Sequence, residues 1–279
     1  MNNPLIEVEN LRIQFKNDGK ITDAVRNVSF SLGKEKLGIV GESGSGKSTV
    51  GRSLLKLHPR SANVMADTMR FKELDLLHAT EAQMQKVRGN RISMILQDPK
   101  YSLNPVVTVG KQITEAFLVH TKVSKTEAKE RTLAMLDAVK IRDPKRVYDL
   151  YPHEISGGMG QRIMIAMMMI PEPEIIIADE PTSALDVSVR LQVLAVLDDL
   201  VQQRGLGLIF ISHDLNLVRS FCDRVLVMYA GRVVESIAAK DLDKAQHPYT
   251  QGLLASLPSL ENRRDELPVL QRSPAWLEA

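Results

Sequence analysis

The stretch GESGSGKST, Gly41 to Thr49, places glycines, a lysine and hydroxyl side chains at the spacing G-x-x-x-x-G-K-[ST]. That spacing cradles phosphate. Successive backbone N–H groups wrap the β- and γ-phosphates of a nucleotide, and the dipole of the helix that follows adds to the attraction. Gly41, Gly44 and Gly46 allow close approach and positive φ, with Glu42, Ser43 and Ser45 between them and Thr49 ending the loop. Lys47 supplies a point charge to the phosphate oxygens, and Ser48 offers a hydroxyl to Mg²⁺.

A second group of residues narrows the chemistry. IIIADE ends a short apolar run in Asp179 and Glu180, an acidic pair at the carboxyl end of a buried strand, where open α/β sheets bind ligands. Asp179 suits the Mg²⁺ shell, and Glu180 the general base that polarises a water. Gln97 follows the apolar run ISMIL and His213 follows LIFIS, so each falls where a parallel strand delivers its last side chain to the same edge.

HEISGGMGQR is a second glycine-rich helix start, with no lysine of its own. Ser156 is a good N-cap for GMGQRIMIAMMMI, in which Met159, Ile163, Met167 and Ile170 fall on one face as a packing stripe. Free N–H groups and the positive end of a dipole make Ser156, Gly157 and Gly158 an anion site as well. One chain carries one phosphate loop, so the economical reading is that this half-site closes over nucleotide held by a second subunit.

Positioning these residues requires an α/β chain. Ile6, Val8, Leu11, Ile13, Phe15 and then Val28, Phe30, Leu32 alternate with polar residues, which predicts short antiparallel strands joined by turns such as NDGK. LGIV, ISMIL, IIIA and LIFIS read as buried central strands alternating with helices, hence a mainly parallel sheet. VSVRLQVLAVLDDLVQQ puts Val193, Val196, Leu197, Leu200 and Val201 on one helical face. Between Pro99 and Gly160 the texture is helical, with Leu133, Leu136 and Val139 aligned in TEAKERTLAMLDAVKI. VLVMYAGRVVES reads as a closing hairpin, and from about Asp241 the chain reads as an appendage.

Composition is compatible with that picture: 279 residues, 44% hydrophobic, 25% charged, formal net charge +2. Near-neutral charge and few aromatics argue against a chain-wide nucleic-acid surface. Cys222 is the sole cysteine, which excludes an internal disulfide and reads as a small buried hydrophobe in a cytosolic setting. PLIEVENLRIQF shows no leader pattern, and the longest apolar run, Ile163 to Ile170, is far too short to span a bilayer. The expectation is a soluble chain whose membrane partners are other polypeptides.

Taken in order, GESGSGKST, the glutamine of ILQDP, ISGGM, IIIADEP, SALD and the histidine of ISHD resemble an ABC transporter ATPase subunit over nearly the whole chain. QDPKYSLNPVVTVGKQI and HPYTQGLLASLP are similar to the dipeptide, oligopeptide and nickel importer subfamily. The resemblance implies a P-loop NTPase (RecA-like) ABC ATPase core with an N-terminal antiparallel β subdomain and an inserted α-helical subdomain. The core would be 1–97 and 161–240, the helical subdomain 98–160, and a subfamily-type extension 241–279.

Further roles come from the resemblance alone. Phe15 stacks on adenine, supported by Val25; Gln97 links Mg²⁺ or the attacking water to the permease-facing helical subdomain. Ser156, Gly157 and Gly158 contact the γ-phosphate bound to the opposite subunit, Asp186 lies at the dimer interface, and His213 contacts the γ-phosphate. ATP and Mg²⁺ are the implied cofactors. The implied partners are a second ATPase subunit, identical or paralogous and paired head to tail, two permease subunits and, indirectly, a solute-binding protein. Nucleic acid is not among them, and the location is the cytoplasmic face of a cell membrane.

Three departures stand out. Ile155 replaces the usual leucine or phenylalanine, and Gly160 stands where arginine is common, which predicts a weaker signature. The C-terminal ENRRDELPVLQRSPAWLEA lacks the cysteines of an iron–sulfur cluster found in many relatives, so no cluster is expected. An ABC-type ATPase acting on nucleic acid or ribosomes shares the ATP chemistry and is the rival reading. An unrelated P-loop kinase or GTPase is a second rival, which leaves SGG and His213 unexplained.

Overall fold

The computed structural model describes residues 3–17, 19–97, 102–183 and 185–257, together with Ser273 and Trp276. Asp98 and Pro99 of the glutamine motif, Ala184 of SALD and most of the C-terminal tail lie outside the described residues. In chain order the strands are β1 Ile6–Asn17, β2 Lys20–Leu32, β3 Lys36–Val40, β4 Ala62–Met65, β5 Thr68–Phe71, β6 Leu74–Asp75, β7 Ile92–Ile95, β8 Ile175–Asp179, β9 Gly207–Ile211, β10 Arg224–Tyr229 and β11 Arg232–Ala238. The helices are α1 Lys47–Ser53, α2 Glu81–Val87, α3 Val109–Leu118, α4 Lys125–Ala138, α5 Pro144–Tyr148, α6 Gly157–Met169, α7 Val187–Arg204, α8 Leu215–Phe221 and α9 Pro248–Ala255.

The chain divides into two compact units, one formed by residues 1–79 and 209–279, the other by 80–208. In the first, β1 pairs antiparallel with β2, β4 and β5, and β5 pairs with β6. The short strands expected from the alternation are one long hairpin instead, because a bulge absorbs the phase break. Asn10 takes a left-handed φ of 51° between Val8 and Leu11, where the β1–β2 register shifts. Ile6, Leu11, Ile13, Val25 and Leu32 are buried as the period of two requires. A second sheet in this unit runs β11-β10-β3-β9, with β10 parallel to β3 and antiparallel to β11, the hairpin expected from VLVMYAGRVVES.

The expected appendage from Asp241 is packed, not peripheral, over its described part. Leu242, Ala245, Tyr249 and Thr250 are buried, and the 3-10 helix Ala239–Lys244 lies on α8, β10 and β11. Tyr249 is buried against the Tyr229 and Trp276 rings, which a local reading of HPYT cannot reveal.

In the second unit β7 and β8 are parallel and buried throughout. The same unit holds α2 to α7, of which α6 packs on β7. The helix α4 buries Ala128, Thr132, Met135 and Leu136, with Leu133 only half-buried, so its inward stripe is rotated from the expected one. Thr132 tolerates that burial because its hydroxyl donates to the Ala128 carbonyl and meets Thr114 Oγ1 at 2.9 Å. The methionine stripe of α6 is likewise corrected: Gly160, Gln161, Ile163, Met164, Ile165, Ala166 and Met169 are buried, while Met159 and Met167 are half-buried. A helix with neighbours on several sides, here α3, α4, α7 and β7, has no single inward stripe. On α7 the expected face, Val193, Val196, Leu197, Leu200 and Val201, is buried.

Candidate functional site

The loop from Gly41 to Thr49 leaves β3 and enters α1 at Lys47. Its glycines are obligatory for different reasons. Gly41 has φ 148°, and a Cβ there would lie 2.1 Å from the Met228 carbonyl oxygen. Gly46 has φ 98°, and a Cβ would lie 2.6 Å from the Ala24 carbonyl oxygen. Two strands therefore press on the loop's backbone. Gly231 N–H also donates to the Ser45 carbonyl at 3.1 Å. Lys47 is only 5% exposed, and its Nζ donates to the Gly41 carbonyl at 2.9 Å and the Glu42 carbonyl at 2.8 Å. A buried ammonium needs such acceptors, and the loop's own carbonyls hold the charge against the loop.

His213 follows β9 and is exposed. Ser212 N–H donates to the Ile39 carbonyl at 3.1 Å, which sets His213 beside the end of β3 from which the loop departs. Phe15 is half-buried on β1, opposite Thr22 and Ala62, and Val25 is buried on β2 opposite Ile13. Val25 Cγ2 also lies 3.4 Å from the Cβ position of Gly46. The first unit thus gathers the loop, His213 and the strand carrying Val25.

The second unit gathers the rest. Asp179 ends β8 and is 5% exposed. Glu180 is half-buried, with a left-handed φ of 48°, and its carbonyl accepts from Ser183 N–H and Oγ. A non-glycine residue in that region is strained and recurs at functional turns. Because Ile95 pairs with Ala178, Gln97 comes off β7 at the level of Glu180; it is exposed.

Ser156 caps α6 as expected, its Oγ accepting the Met159 N–H at 3.3 Å. Gly157 has open space at its Cβ position, whereas a Cβ on Gly158 would lie 2.5 Å from Val189 Cγ1. Gly160 is buried in the first turn, so an arginine there would enter a covered position. Asp186 caps α7: its carboxylate accepts the Val189 N–H at 3.0 Å and the Ser188 hydroxyl at 2.8 Å. Those hydrogen bonds, the Val189 amide foremost, hold its carboxyl below the usual carboxylate range.

Sequence reasoning missed two features. The cap by Asp186 was legible in SALDVS, an aspartate just before an apolar-periodic helix. The bond from Glu42 N–H to Tyr249 Oη, 3.1 Å and spanning 207 residues, had no local signal.

Fold and loop together define an α/β nucleotide-binding protein of the P-loop class. The chain belongs to the ABC transporter family, whose model matches residues 25–183. It is 45% identical over 272 residues to a putative peptide import ATP-binding protein of Brucella melitensis biotype 1, covering 97% of this chain and 82% of that protein. It is 46% identical over 265 residues to the oligopeptide transport ATP-binding protein OppD of Bacillus subtilis, covering 94% of this chain and 74% of that one. Among solved structures, the dimeric post-hydrolysis state of the ATP-binding cassette MJ0796 bound to ADP and Pi superposes with a TM-score of 0.72. That match has 26% identity and covers 84% of this chain and 99% of the cassette. The chain is accordingly an ATP-binding, ATP-hydrolysing component of ABC transport. The relatives named here are import and cassette proteins, which lends nothing to the nucleic-acid reading. Among the described residues no helix is long and apolar enough to cross a membrane.

Proposed function

We propose that this chain energises peptide uptake as the ATPase subunit of an ABC importer, working at the cytoplasmic face of a membrane. The observation that carries it is the phosphate loop with its buried Lys47. The peptide, oligopeptide and dipeptide import proteins among its relatives support the cargo class. Nickel or another small solute is the alternative cargo, since a separate binding protein and the permeases choose it.

In this reading Gly41 to Thr49 bind the phosphates, and Phe15 stacks on the adenine. Lys47 moves from the two loop carbonyls to the phosphate oxygens, an exchange of neutral acceptors for charged ones that strengthens its bonds. Ser48, Asp179 and Gln97 would hold Mg²⁺: hydroxyl, carboxylate and amide oxygens are the hard donors that ion takes. The ion supplies charge neutralisation at the phosphates. Glu180 takes a proton from the attacking water, and His213 donates to the γ-phosphate.

Residues 98–160 serve as the helical subdomain docking on two permeases, 1–97 and 161–240 as the core, and 241–279 as the extension. Ser156, Gly157 and Gly158 close on ATP held by a second ATPase subunit, with Asp186 at that interface. A cassette dimer among the solved relatives supports such pairing. Closure follows because ATP gains donors from both chains, and hydrolysis removes them, a differential affinity that drives a two-state switch.

The test is ATP hydrolysis by the chain reconstituted with its permeases and binding protein. Peptide-loaded binding protein should raise the rate, and Glu180→Gln should lower kcat by about 10²–10⁴ while ATP still binds. Stimulation by a nickel-loaded protein and not by a peptide-loaded one would overturn the cargo; an unchanged rate in Glu180→Gln would overturn the role of that carboxylate.

A further inference from the structure

We infer that Tyr249 is a positioning residue for ATP, its hydroxyl fixing the Gly41–Glu42 peptide of the phosphate loop from the C-terminal segment. The inference rests on the reading of Gly41 to Thr49 as the nucleotide site.

The peptide plane between Gly41 and Glu42 is held on both sides. Its carbonyl accepts from Lys47 Nζ at 2.9 Å, and its N–H donates to Tyr249 Oη at 3.1 Å. A trans peptide points its N–H and C=O in opposite directions, so Tyr249 and Lys47 grip opposite edges of one plane. Gly41, at φ 148°, lacks the Cβ that would restrain a flip of that plane. When Lys47 turns to phosphate, its grip on the carbonyl is lost or shared. The bond to Tyr249 then keeps the peptide, and the N–H groups after it, aimed for binding.

The phenol is itself held firmly. Tyr249 is fully buried, the largest side chain that is among the described residues. A buried phenol needs a partner, and the loop amide is one. Its ring lies 4.5 Å from that of Tyr229 and 6.0 Å from that of Trp276. His247 caps α9 by accepting the Tyr249 N–H at 3.1 Å, and its ring stands 6.2 Å from Trp276. The cluster of His247, Tyr249 and Trp276 thereby reaches the phosphate loop through the Tyr249 hydroxyl.

Calorimetric titration of the full chain with ATP and Mg²⁺ tests this. Tyr249→Phe keeps the ring and removes the hydroxyl; the loss of one hydrogen bond predicts a Kd raised about three- to tenfold. In the reconstituted transporter KM for ATP should rise similarly, with kcat at saturating ATP within about twofold of wild type. Tyr229→Phe, which removes a hydroxyl from the same cluster with no bond to the loop, should bind as wild type. Trp276 is the sole tryptophan, so unchanged emission in Tyr249→Phe certifies that the cluster is intact.

A wild-type Kd in Tyr249→Phe would overturn the inference, as would equal weakening in Tyr229→Phe. Lys47→Ala separates the two levels. If it abolishes binding while Tyr249→Phe binds normally, the site stands and the role of Tyr249 falls. If Lys47→Ala binds like wild type, the reading of the loop falls first.

Discussion

Gly158 faces Val189 so closely that a Cβ on the glycine would lie 2.5 Å from the valine Cγ1. The second glycine of the signature therefore seals α6 against α7, whereas Gly157 beside it has open space at its Cβ position. Two adjacent glycines thus have different physical reasons. One permits packing within the chain, and the other leaves the helix start open to a ligand.

Gly158→Ala should destabilise the chain by about 1–3 kcal/mol, the usual result of overpacking. Gly157→Ala should change stability by less than about 0.5 kcal/mol, as an uncrowded substitution does. Thermal melts of the two variants check the contrast. Equal melting temperatures would show that Val189 gives way without cost.

Asp186 is predicted to act as a charged cap whose effect depends on pH. Its folded-state pKa is depressed by the Val189 amide and the Ser188 side chain. A depressed carboxylate contributes stability that is present above its unfolded value and lost as pH falls through the folded one. Asp186→Ala should therefore melt below wild type at pH 7, and the gap should shrink below about pH 4, the ordinary carboxylate range. Asp186→Asn, which keeps an accepting oxygen, should fall between them at pH 7. A gap that persists at pH 3 would show that the carboxylate's charge plays no part.

Cys222 should be chemically silent in the folded chain. It is buried against Gly38, whose Cβ position lies 3.2 Å from its Sγ, and burial pushes the thiol well above the ordinary range. The thiolate is the reactive form, so a disulfide reagent at pH 8 should label it only on unfolding. Rapid stoichiometric labelling of native protein would contradict the packing of α8 on β3.

Parts of the chain were legible locally and parts were not. The phosphate loop could be read because its glycines and lysine answer requirements that no other residues meet at that spacing: φ 148° at Gly41, φ 98° at Gly46, and a cation at position 47. The central strands were legible as apolar runs because they are buried on both faces. The strands β4, β5 and β6 were not, since ANVM, TMRF and LD are too short and too mixed to show a period. The stripes on α4 and α6 were misplaced because burial there depends on which neighbours surround a helix, and a single helix's periodicity does not contain that information. Tyr249 illustrates the limit. Its partner is 207 residues away, and only the folded chain brings them together.

In the proposed cycle ATP joins the Lys47 loop of one subunit to the Ser156–Gly158 helix start of another. Light scattering on Glu180→Gln at saturating Mg-ATP decides it, because loss of the proposed general base is expected to leave binding intact and trap the closed pair. The mass should double from 31.1 kDa, either alone or on addition of a paralogous ATPase from the same transporter, and the added Ser156→Arg substitution should prevent it. A chain that binds ATP fully yet keeps the mass of one subunit in both settings would rule that pairing out.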